Sequence, residues 1–239
     1  MLKVFESAEE IAVYCADLIE SLILKKPDCV LGLATGASPI PTYRELIRRY
    51  EAGRISFRQV KTFNLDEYCG IPRDDKNSYY TFMHEQLFDH IDIREENVHI
   101  PDGNATDPAA FCKQYDQMIR DAGGIDLQIL GVGTNGHIGF NEPADKFTKG
   151  TFCIALAPST KVSNSIYFEN GKVPDHAVTM GIATIMSARQ IVLIATGEKK
   201  RFAVSGAVNG DITPMCPASV LQLHPNAQIL ADRAAATLV

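Results

Sequence analysis

The chain has 239 residues, 46% hydrophobic and 22% charged, which fits one α/β domain with a full core and asks for no linker between two. Its formal net charge of −6 argues against nucleic acid, which wants a basic face, and no run of ~18 apolar residues offers a membrane span. Its six cysteines, at 15, 29, 69, 112, 153 and 216, show no paired spacing and point to reduced thiols in a cytoplasmic protein, not to a disulfide frame or zinc site.

Apolar residues at Ile11, Ala12, Cys15, Ile19, Leu22 and Ile23 predict a helix over 8–25. A strand at 29–33 and a helix at 40–50, after Pro39 and Pro41, come next. A strand at 60–65 leads through a polar loop to a helix at 79–88. A helix over 107–121 enters the apolar strand 125–130, and strand 191–195, helix 199–208 and strand 227–231 close the chain. The N-terminal Met1 to Glu6 has neither the basic start nor the long apolar core of a signal peptide. Alternating strands and helices imply a mostly parallel sheet covered on both faces.

In such sheets ligands bind outside the carboxyl ends of the strands, and four loops there carry unusual chemistry. Thr35, Gly36, Ala37 and Ser38 join a strand to a helix; small residues expose backbone N–H groups at a helix N-terminus, an arrangement that suits phosphate or merely a tight turn. Asp66 and Glu67 are adjacent, so in extended chain at most one of them faces a given site. The loop 131–143 holds four glycines, His137 and Glu142; the imidazole titrates near neutrality and the carboxylate can orient it. Thr196 to Arg201 brings Lys199, Lys200 and Arg201 near the sheet edge, where an acidic protein holding an anion needs cations, though a plain basic helix face explains Lys199 and Arg201 equally.

Six segments carry a resemblance that runs nearly end to end: LGLATGASP (31–39), FNLDEYCG (63–70), SYYTFMHEQLFDHI (78–91), LQILGVGTNGHIGFNEP (127–143), AVTMG (177–181) and PASVLQLHP (217–225). Together they resemble the glucosamine-6-phosphate deaminase family. The resemblance implies a three-layer Rossmann-like α/β fold with a mostly parallel central sheet, helices on both faces, and a lid over about 148–173. It implies conversion of glucosamine 6-phosphate and water to fructose 6-phosphate and ammonia, with no metal and no organic cofactor. By the same resemblance His137 opens the sugar ring, Glu142 orients it and Asn135 stands beside it. Asp66 moves a proton between C2 and C1, and Thr35, Gly36, Ala37, Ser38 and Lys200 hold the phosphate. Burial beneath the substrate is expected to raise the basicity of Asp66.

Two departures stand out. Asn135 occupies a position where many relatives have aspartate; it keeps the hydrogen-bond sites without the charge. Ile166 stands where relatives usually place a phosphate-gripping lid arginine, with Lys161 the nearby cation. A lost charged hydrogen bond costs about 1.5–3 kcal/mol, so weaker phosphate binding or an altered substrate is expected. The basic residues of the family's allosteric pocket have no match around 145–154, where Phe152 and Ile154 stand, so an unregulated monomer is expected. Galactosamine 6-phosphate as substrate, a 6-phosphogluconolactonase-like hydrolase and a sugar-phosphate sensor remain the alternatives.

Overall fold

The computed structural model describes residues 1–165, 168 and 171–239, with Ser159 and Ser163 described by their backbone alone. Seven strands form one parallel sheet: β1 (Leu2–Phe5), β2 (Val30–Leu33), β3 (Lys61–Asn64), β5 (Val98–His99), β6 (Leu127–Leu130), β9 (Gln190–Ala195) and β10 (Ala227–Asp232). Their order across the sheet is β1-β10-β9-β6-β2-β3-β5. Every residue of β2 and β6, and all of β9 after its first, is buried, as a sheet covered on both faces requires.

Three short strands pair antiparallel as a second sheet, in the order β4-β8-β7. These are β4 (Asp66–Tyr68), β7 (Phe152–Ala155) and β8 (His176–Thr179). The sequence pattern reads 60–65 as one strand and the carboxylate pair as loop. The structure instead ends β3 at Asn64, lets Leu65 donate to the Leu33 carbonyl at 3.0 Å, and turns the next three residues onto β8. A three-residue strand paired far along the chain leaves too short a pattern to read locally. The same holds for β7, which lies inside the 148–173 segment that shows little strand pattern in the sequence.

The helices are α1 (Ala8–Lys25), α2 (Ile40–Glu51), α3 (Tyr79–Gln86), α4 (Pro108–Asp121), α5 (Pro158–Asn164), α6 (Ile182–Met186) and α7 (Arg201–Val208). Their starts follow side-chain chemistry: Ser7, Ser78 and Asp107 accept the N–H of Glu10, Thr81 and Ala110. None of the described helices is long and apolar enough to cross a membrane. α1 and α2 are joined through Arg49, 2% exposed, whose guanidinium meets Glu20 at 2.6 Å, Glu45 at 2.8 Å and Asp17 at 2.8 Å.

The chain builds β2, β3 and β5 outward in one direction, then returns with β6 on the other side of β2. That reversal opens a crevice at the carboxyl ends of β2 and β6. The loops after β2, β3, β6 and β9 all reach it.

Candidate active site

A cavity of about 470 Å³ fills this crevice, with Thr35, Asp66, His137 and Lys200 all on its wall. On the β2 side, Tyr43 pins the phosphate-type loop: its hydroxyl accepts from the Ala34 N–H at 3.2 Å and donates to the Ala34 carbonyl at 2.5 Å. Gly36 has φ of 91°, which lets the chain fold back toward the start of α2. Thr35, Gly36, Ala37 and Ser38 therefore line the cavity together.

Strand alternation separates the two carboxylates of β4. Glu67 faces a second hollow of about 310 Å³ and accepts three backbone N–H groups, from Tyr68, Tyr79 and Tyr80, at 2.8–2.9 Å. Burial pushes its carboxyl up, while those donors oppose the rise. Asp66 turns into the first cavity, 6% exposed, and no donor among the described residues holds it. Burial, then the neighbouring Glu67, pushes its carboxyl up to about 8. This is the environment expected from the sequence.

The histidine loop is folded by its glycines. Gly133 N–H donates to the His137 carbonyl at 2.8 Å, and Gly136, with φ of 86°, donates to Gly133. The His137 ring lies so close over Gly133 that a Cβ there would fall 2.1 Å from Cε1, so glycine is required. Asn135 Oδ1 sits 2.8 Å from His137 Nδ1 and also accepts the His137 backbone N–H, which fixes the amide orientation. Its Nδ2 donates to Glu142 Oε2 at 2.8 Å, and that same oxygen is 3.3 Å from Nδ1. With two acceptors at Nδ1, the neutral ring carries its proton there and leaves Nε2 as the base. Burial opposes ionisation of Glu142, but hydrogen bonds from His137, Thr160 and Asn135 hold its carboxyl down at about 2.

Lys200 is the cation of its loop that enters the cavity; its Nζ donates to the Val132 carbonyl at 2.6 Å, and burial pulls its ammonium down. Arg201 pairs instead with Glu198. Lys161 meets Asp175 at 2.5 Å and is not on the cavity wall. Ile166 lies outside the described residues. Among the described residues, no three His, Cys, Asp or Glu side chains come together as a metal site would need.

A model of the glucosamine-6-phosphate isomerases/6-phosphogluconolactonase family matches residues 4–230. The chain belongs to that family. Within it, the chain is 52% identical over 223 residues to a glucosamine-6-phosphate deaminase of Lysinibacillus sphaericus, covering 93% of this chain and 94% of that one. It is 47% identical to a glucosamine-6-phosphate deaminase of Bacillus pumilus, with 98% of each covered. A solved structure described as a monomeric glucosamine-6-phosphate deaminase superposes with a TM-score of 0.96 at 43% identity, covering 100% of this chain and 99% of that one. A 6-phosphogluconolactonase from Trypanosoma brucei superposes at 0.76 with 20% identity, a likeness of fold alone.

The structure brings together the nine residues to which the resemblance assigns a site role, though Asn135 and Glu142 stand behind His137 and not on the wall, while Glu67, Lys161, Lys199 and Arg201 do not line the cavity. It adds several that the sequence reading missed. Tyr79 and Phe140 stack as an aromatic wall, with ring planes 8° apart. Thr160 and Asn164 reach the cavity from α5. Their separation of four on one helix was the available signal; what they would touch was not readable, because β4 and the histidine loop are far away in sequence.

Proposed function

We propose that this protein is a glucosamine-6-phosphate deaminase, hydrolysing the C2–N bond as it isomerises aldose to ketose. The observation that carries the reading is one cavity with a buried carboxylate, Asp66, that no donor among the described residues holds, and an imidazole whose Nδ1 is capped by Asn135 and Glu142. The relatives at about half identity support the substrate.

The substrate phosphate lies on the backbone N–H groups of 35–38 with Lys200 Nζ, which exchanges the Val132 carbonyl for a phosphate oxygen. His137 Nε2 takes the anomeric hydroxyl proton and returns it to the ring oxygen, opening the sugar. Asp66 then removes the C2 proton and delivers it to C1 on the same face, through an enolamine. A base near neutral pKa serves both the removal and the return. The C2 imine formed in this way adds water, and the adduct expels ammonia to leave the ketone. Glu142 and Asn135 keep the imidazole tautomer fixed throughout. No metal and no organic cofactor has a role in these steps.

The residues 148–173 act as a cover over the cavity within a single domain of 239 residues. The solved relative described as monomeric supports a monomer here, acting in the cytoplasm on a phosphorylated amino sugar. An isoleucine side chain has no group to donate to a phosphate, so Ile166→Arg should lower the Michaelis constant by about tenfold; an unchanged value would sink the idea of a missing grip. The function itself is tested by ammonia release from glucosamine 6-phosphate and galactosamine 6-phosphate, with His137→Ala as control. Release from the gluco sugar, abolished in the variant, is expected. Release from the galacto sugar alone would reassign the substrate, and release from neither would overturn the reading.

A further inference from the structure

Thr160 is buried in α5, and its hydroxyl donates to Oε1 of Glu142. That is the oxygen opposite the one shared by Asn135 and His137. One turn further along α5, Asn164 Nδ2 donates to the Tyr68 hydroxyl at 2.8 Å, two residues after Asp66. A single short helix thus touches both halves of the reactive machinery. Its segment is rooted where Leu156 N–H meets the Asp175 carbonyl at 2.8 Å, so the chain leaves the small sheet and returns at the same place.

We propose that Thr160 is a positioning residue: its hydroxyl, delivered by α5 lying over the cavity, fixes the Glu142 carboxylate so that Oε2 stays on Asn135 and His137. The inference rests on the proposed deaminase reaction, in which His137 moves the ring-opening proton. The terminal torsion of glutamate is broad, so a carboxylate held through one oxygen rocks about it. A donor on each oxygen sets its plane. A hydroxyl donating to the carboxylate also favours the charged form. The charged group facing Glu142 is His137 from its own loop; the next cation on α5, Lys161, is turned to Asp175.

The test compares Thr160→Val, which keeps the shape and loses the hydroxyl, with Thr160→Ser, which keeps the hydroxyl. The valine variant should lose about tenfold in kcat with KM within about twofold, and the acid limb of its pH profile should move upward. Serine should restore most of the loss. In parallel, carbon-13 NMR of the Glu142 carboxyl in the free protein should titrate at higher pH in the valine variant and near the parent value in the serine one. A rise in KM alone, serine behaving as valine does, or an unmoved carboxyl titration would overturn the proposal. If the parent protein releases no ammonia, the functional reading fails by itself and the carboxyl titration still decides for or against Thr160.

Discussion

Asp66 shows how far a single side chain can be read from its letter and its neighbours. The sequence places two carboxylates in tandem and alternation sends them to opposite sides; which one meets the cavity is decided by the pairing of Asp66 with Thr179. The consequence is measurable. Its carboxyl is pushed up to about 8 by burial, so the unfolded chain ionises first, and the folded state loses stability as pH rises from about 3.8 to about 8. Asp66→Asn should therefore abolish ammonia release while raising the melting temperature at pH 8 by about 3 °C or more, the gain vanishing toward pH 4. A variant less stable than the parent at pH 8 would contradict this. Glu142 has the opposite sign. Its carboxyl is held at about 2, so it stabilises the fold fully above about 4.5, and that contribution goes as pH falls toward 2. Glu142→Gln should be less stable than the parent at pH 6, the difference narrowing by pH 3 in thermal melts.

At the level of elements, long periodic segments were legible and short ones were not. α1 announces itself through its stripe of apolar residues, because that face packs against the sheet whatever the topology. β4, β7 and β8 carry three or four residues each, and their pairing is set by distant partners. The crossings that hold them are tight. A Cβ at Gly181, just after β8, would lie 2.2 Å from the Gly150 carbonyl oxygen and 2.4 Å from that of Lys149, both backbone. Gly181→Ala should cost about 1–3 kcal/mol of stability in denaturant unfolding, with activity falling alongside because β4, which carries Asp66, belongs to that small sheet. The α1–α2 contact depends on charge in a different way. Glu20→Ala leaves the buried Arg49 guanidinium with Glu45, Asp17 and the Val13 carbonyl, and a loss of about 3 kcal/mol in urea titrations is expected. Substituting Arg49 and Glu20 together by apolar residues should recover much of it.

For the whole molecule, the alternation of strands and helices was enough to predict a parallel sheet and a site at its carboxyl edge. The order of its strands was not, because loop lengths do not say on which side of β2 the chain will return. On the proposed reading, the loops after β2 and β9, which converge on one cavity, form the seat for the substrate phosphate. Inorganic phosphate at ~100 times its dissociation constant should stabilise the fold by about 2.7 kcal/mol, and Lys200→Ala should blunt the shift in melting temperature. An equal shift in the variant would remove Lys200 from the phosphate site. The strand order has one more consequence, for the chain as it is made. Within this sheet β1 is made before the other strands and, among the described residues, its strand partner is β10, made after them, matching Leu2 to Ile229 and Phe5 to Asp232. β9, which joins that pair to β6 and the rest of the sheet, emerges only after residue 190. Until then the nascent polypeptide holds β2, β3, β5 and β6 beside an unclosed edge, and β1 waits for its strand partner.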